Sequence, residues 1–151
     1  LITEATHPNE IAGVLAHEIG HLAHDHPARQ FVRQAGLFLL VEMFTGGSSL
    51  GGFGATAVAT GYSRAFEREA DDFALAALHR AGYDARPVAG FFERLSAEEK
   101  KSSVPLLGAL GNYLSTHPAS DERAAAFAQG EPGARAFTEE AFQALKKACG
   151  V

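Results

Sequence analysis

Only one cysteine, Cys149, occurs in the 151 residues. A lone cysteine closes no intrachain disulfide and builds no cysteine-based zinc knuckle. The redox compartment stays open, because cytosolic and many envelope proteins both lack disulfides. A basic surplus is missing as well: Lys+Arg number 13 against 18 Asp+Glu, for a formal net charge of -5. That balance argues against a reader of the phosphate backbone, so no nucleic-acid partner is expected. No basic segment leading into an apolar one is visible near Leu1, so no signal peptide can be read. Internal repeats and clean strand alternation are absent too. No stretch reaches the roughly 20 mostly apolar residues of a membrane span. The run 37–44 is short and contains Glu42, and the wider apolar stretch 35–61 is broken at Gly46-Gly47-Ser48-Ser49. A buried helix, or an apolar surface resting on a membrane or partner, suits residues 35–61 better.

What the chain does have is histidine. There are seven against one methionine, and five of them lie between His7 and His26. Length and a hydrophobic content of 46% suit one domain over residues 1–151, with a core that needs no staples. The patterning is mainly α. Thr6 is placed to cap a first helix with Pro8 in its first turn. Ile11, Val14, Leu15, Ile19 and Leu22 continue it at helical period until Pro27 interrupts. A second helix is expected over 28–44 and a third over 62–80, closed by Gly82 as its cap. A fourth is expected over 85–95, followed by a solvated link at 98–103. The stretch 106–114 is ambiguous. Ser120 or Thr116 can start a helix carrying 123–127, and Thr138 caps a last helix with Lys146 and Lys147 near its end.

Chemistry concentrates in His17-Glu18-Ile19-Gly20-His21. Residues four apart share a helix face, so both imidazoles can reach one ion. Glu18, one residue round the helix, can hold a water without taking a ligand position. That is the HExxH arrangement of zinc hydrolases. Two histidines and a glutamate inside an apolar helix would be costly without such a task. A catalytic zinc needs a third protein ligand and an open position. His24 lies about one turn beyond His21, although a straight helix carries it away along the axis; otherwise His24 and His26 form a polar helix end near solvent. Glu67 and Asp71, four apart on the third helix, are the better pair. Glu67 can ligate while Asp71 orients a ligand histidine. Glu69 points elsewhere, toward solvent or an arginine. The plain alternative for this helix is a charged face laced with Arg–Glu pairs.

Residues 14–21, Ser63-Arg64 leading to Glu67-Arg68-Glu69-Ala70-Asp71, the exit Ala81-Gly82-Tyr83-Asp84, and Thr116-His117-Pro118 followed by Arg123 together resemble the M48 family of zinc peptidases, the gluzincins. The resemblance implies a zincin-like metallopeptidase core with an active-site helix and a second ligand helix. It implies one zinc ion on His17, His21 and Glu67, with Glu18 as general base and proton shuttle. Asp71 would support a ligand histidine. His117 would approach the cleft as an auxiliary catalytic group, and Arg123 would anchor that segment, against Asp71. Tyr113 is a weaker candidate for holding the tetrahedral intermediate. Family members carry a strand-bearing region before the active-site helix, and this chain starts too late to contain most of it. The pair of spanning helices seen in integral-membrane members is not evident, which points to the soluble or peripheral branch.

The activity so implied is a zinc-dependent metalloendopeptidase acting on extended proteins or peptides, with the bacterial cell envelope as the expected location. The contrasting reading is a catalytically latent, metal-containing scaffold that uses residues 35–61 to bind a membrane protein or chaperone. A non-peptidase zinc hydrolase is a third.

Overall fold

The computed structural model describes residues 2–46, 63–101, 113, 116–117 and 121–150. Helices dominate, in the order α1 (Pro8–Ala23), α2 (His26–Thr45), α3 (Arg64–Arg80), α4 (Pro87–Lys101), α5 (Asp121–Ala128) and α6 (Glu139–Ala148). Among the described residues there is no strand, and one isolated parallel bridge joins Tyr83 to Ala134.

α1 is capped one residue later than expected. His7 is the cap, and its Nδ1 accepts from the Asn9 amide at 3.1 Å. Thr6 stands just before it and donates through its amide and its hydroxyl to the two oxygens of Glu10, at 2.9 and 2.8 Å. Glu10, 2% exposed, also accepts from Arg94 at 2.6 Å. The helix start is thereby fixed by side chains that satisfy its otherwise unpaired amides.

The face that α1 buries differs from the one its apolar period suggests. Ile11 and Val14 are in the core, but Leu15, Ile19 and Leu22 are exposed. The buried side instead carries Gly13, His17, Gly20 and His21. It packs chiefly on α3. A Cβ at Gly20 would sit 3.0 Å from both the Cα and the carbonyl oxygen of Ala70, and 3.1 Å from Phe73 Cβ. Backbone cannot yield there as a flexible side chain would, so glycine sets how close the two helices come.

Pro27 does not end a helix; it sits in the first turn of α2, where its missing amide costs nothing. The break is made by Asp25, which adopts φ 54 in the left-handed region, tolerated by Asp better than by most residues. α3 starts at Arg64 with Ser63 as cap, its hydroxyl accepting from the Phe66 amide. Ala81 is its C-cap, and Gly82 follows with φ 72. α4 runs to Lys101, through residues 98–101 of the expected link; charge alone does not stop a helix on a solvated face. α5 begins at Asp121. Thr138 caps α6, accepting from Ala141 at 3.2 Å. The break at 47–49, the stretch to 61 and most of 106–114 lie outside the described residues.

The main core joins Val14 to Ala74, Leu78, Val88, Phe91, Phe92, Leu95 and Phe127. A smaller cluster gathers Ala5, Ile11 and Phe142. Asn9, fully buried, ties distant parts of the chain together. Its amide nitrogen donates to the carbonyls of Asp84 and Ala134, at 2.7 and 2.9 Å, and its oxygen accepts from the Ala136 amide at 2.8 Å. α5 packs on α4, and this brings Arg123 beneath α1 and α3.

Candidate metal centre

α1 and α3 bring two imidazoles and a carboxylate together where the helices cross. His17, His21, Glu67 and His117 each offer a ligand atom, all within 4.8 Å of one another, and all four residues are buried. The Nε2 atoms of His17 and His21 are 3.0 Å apart. Glu67 lies 3.4 Å from each, through Oε2 to His17 and Oε1 to His21. His117 Nδ1 is 3.2 Å from Glu67 Oε1 and 3.4 Å from His17 Nε2. Its Nε2 faces Glu18 Oε1 at 3.6 Å. His117 therefore stands between the Glu67 carboxylate and Glu18.

The outer atoms of these groups are also engaged. His17 Nδ1 lies 2.9 Å from Asp71 Oδ1. Arg123 donates to Asp71 in a fork, Nε to Oδ2 at 2.7 Å and Nη2 to Oδ1 at 2.8 Å. Its Nη1 is 2.9 Å from Glu67 Oε2, and its guanidinium rests 4.2 Å from the centre of the Phe92 ring. Burial opposes charge on Glu67, but hydrogen bonds from His117, His17 and His21, with Arg123 nearby, hold its carboxyl well below the usual range. Burial likewise works against Asp71, and His17 and Arg123 outweigh it, lowering its pKa. Both carboxylates are thus ionised and aimed.

Tyr113 stacks on His117, with ring centres 4.8 Å apart, and burial pushes its phenol upward. His24 is exposed at the C-cap of α1 and takes no part in the donor group. His26 differs from expectation: it is fully buried, with Nδ1 3.0 Å from His21 Nδ1 and Nε2 3.0 Å from Glu69 Oε2. Glu69 also accepts from Arg29 at 3.0 Å, and His26 and then Arg29 lower its pKa. The apolar pattern makes His26 part of a polar helix end, and no spacing in the sequence points it inward across the turn at Asp25.

The donor set suits a metal ion. Two imidazole nitrogens and a carboxylate oxygen are borderline-to-hard donors of the kind zinc takes. Two buried atoms at this place, Glu18 Oε1 and the Tyr113 hydroxyl, make no hydrogen bond within the described structure. Orphaned polar atoms around converging donors need a further partner.

Residues 1–130 match the model described as Peptidase family M48. The chain belongs to that family. Relatives include the mitochondrial metalloendopeptidase OMA1 of Arabidopsis thaliana, 34% identical over 125 residues, covering 80% of this chain and 24% of the relative. The metalloprotease YcaL of Escherichia coli is 32% identical over 125 residues, covering 77% of this chain and 46% of the relative. The β-barrel assembly-enhancing protease of Yersinia pestis is 28% identical over 130 residues, covering 76% of this chain and 26% of the relative. The chain thus spans less than half the length of these curated M48 relatives. M48 peptidases are metal-dependent, and His17, His21, Glu67 and His117 form a group that could hold a metal ion.

Proposed function

We propose that this chain is the catalytic portion of a zinc-dependent metalloendopeptidase that cleaves extended proteins or peptides. The observation that carries the reading is the buried convergence of His17, His21 and Glu67 beside a Glu18 that stays partly open to solvent. His17, His21 and Glu67 would hold the ion. Bound there, zinc supplies Lewis acidity that polarises a scissile carbonyl and lowers the pKa of water. Glu18 removes the proton of the attacking water and delivers it to the leaving amine. His117, beside Glu18, donates to the oxygen on which negative charge develops. Asp71 keeps the proton of His17 on Nδ1, leaving Nε2 to face the ion, and Arg123 holds Asp71 in place.

Purified protein is expected to contain about one zinc per chain. It should cleave an unstructured protein, lose that activity with a chelator and regain it with added zinc. Glu67→Gln should lower both zinc content and melting temperature, because loss of a ligand uncouples α1 from α3. Full zinc occupancy in Glu67→Gln would remove Glu67 from the ligand set. Zinc uptake without cleavage of any substrate would favour the latent-scaffold reading.

The exposed apolar side chains of α2 support a contact surface. Leu39 is 65% exposed, Met43 75% and Phe44 85%. Among the described residues no helix is long and apolar enough to cross a membrane. We assign this face, within residues 35–61, to peripheral contact with a membrane or a membrane protein of a bacterial cell envelope. Co-sedimentation with envelope membranes should fall when Met43 and Phe44 are both changed to Asp. Unchanged co-sedimentation would overturn the assignment.

A further inference from the structure

α2 opens with a buried imidazole that the proposed chemistry leaves unused. His26 is 0% exposed, and its ring lies nearly parallel to that of Phe66, with centres 4.2 Å apart and planes at 6°. It is the middle of a chain of contacts: His21 Nδ1 to His26 Nδ1, 3.0 Å; His26 Nε2 to Glu69 Oε2, 3.0 Å; Glu69 Oε2 to Arg29 Nη1, 3.0 Å.

The proton positions follow from what each atom can do. An ionised carboxylate only accepts, so His26 Nε2 carries the hydrogen. A neutral imidazole with hydrogen on Nε2 has a lone pair on Nδ1. His21 Nδ1 must then be the donor between the two rings. That leaves Nε2 of His21 bare, and Nε2 is the atom facing His17 Nε2 and Glu67 Oε1. The reverse assignment would place a hydrogen on His21 Nε2 and spoil it as a ligand. His17 receives the same service directly from Asp71, at 2.9 Å; His21 receives it through an interposed ring.

We propose that His26 and Glu69 are positioning residues, a two-member relay that fixes the tautomer and orientation of His21 as a metal ligand. The inference rests on the metal reading above. Groups behind a ligand histidine that fix its ring and raise its basicity affect metal affinity by about 10–100-fold. Phe66 and the turn at Asp25 hold the relay ring in place, so its orientation is set by the fold rather than by the ion.

The test is zinc affinity, by competition with a chromophoric chelator, on the full chain and three variants. The visible spectrum of the cobalt-substituted protein is the second readout. His26→Phe keeps an aromatic ring against Phe66 but offers no acceptor. It should bind zinc about 10–100-fold more weakly and shift the cobalt bands, with an unchanged helical circular dichroism spectrum. His26→Asn, whose amide oxygen can accept near the position of Nδ1, should recover most of that affinity. A merely structural role for His26 would not produce that rescue. Glu69→Leu cuts the relay at a side chain 41% exposed and should also weaken zinc binding several-fold. Wild-type affinity in Glu69→Leu, or equal affinity in the folded Phe and Asn variants, would overturn the relay. If the wild-type chain itself takes up no zinc, the metal reading falls and the relay with it. Variants that match a zinc-binding wild type remove the relay alone.

Discussion

Glu18→Gln is expected to lower kcat by about 10²–10⁴-fold while leaving zinc content and melting temperature nearly unchanged. The substitution keeps the side chain's size and one oxygen, and removes its negative charge and its ability to take a proton. Glu18 is not among the donor atoms that converge at the helix crossing. Its Oε1 makes no hydrogen bond within the described structure, and His117 Nε2 stands 3.6 Å away. No internal bond is therefore lost at that oxygen, which isolates the chemical effect. Turnover of a quenched peptide, measured at equal zinc occupancy, checks it. The loss should exceed that of His117→Ala, whose contribution is electrostatic. Near-wild-type turnover by the glutamine variant would remove Glu18 as the base and with it the proposed mechanism.

The largest expected effect on stability belongs to Arg123. Its guanidinium is 5% exposed and meets two buried carboxylates, Asp71 by a fork and Glu67 through Nη1. Arg123→Ala leaves both charges without their cation. Breaking a buried pair from one side costs about 3–5 kcal/mol. For a chain of this size that corresponds to a fall in melting temperature on the order of 10 °C. The metal-free protein should show the larger loss, because a bound cation partly replaces the missing charge. Lysine should restore little, since a point charge cannot reproduce the planar fork. Pairing Arg123→Leu with Asp71→Leu should recover part of the stability by removing the orphaned carboxylate. Calorimetry of the metal-free chain decides it: a cost below about 1 kcal/mol would mean the pair contributes no more than a surface ion pair does.

Local spacing makes the donors legible in the amino-acid sequence. His17 and His21, and Glu67 and Asp71, are i, i+4 pairs, and a helix fixes their relative placement without tertiary knowledge. The start of α6 is readable from its cap, Thr138, whereas the third helix, expected from residue 62, begins at Arg64 behind Ser63. The burial of His26 is not readable. Pro27 reads as the end of a helix, and the left-handed turn at Asp25 that swings His26 back under α1 has no periodic signal. Hydrophobic period points to the wrong side of α1 because it assumes that apolar residues face inward. Here His17 and His21 occupy the buried side, where Asp71, Glu67 and His26 satisfy them, and Leu15, Ile19 and Leu22 face outward. Residues 98–101 show the opposite error: a charge cluster resembles a link, although α4 continues through it with Glu98 and Lys100 exposed.

The Asn9 clamp has a consequence for the order in which this molecule is built. Its bond to Ala136 joins residues 127 apart. Contacts of such separation close late, after local helices have formed, because the loop's entropy must first be overcome. During synthesis the chain leaves the ribosome from its amino end, so α1 emerges early and its clamp cannot close until residues 134–136 follow. By then His117 and Arg123 have emerged as well. A nascent chain therefore carries the HExxH helix long before it carries the means to hold that helix in register. Until residues 134–136 have followed, His17 and His21 sit on a helix whose Asn9 clamp is still open.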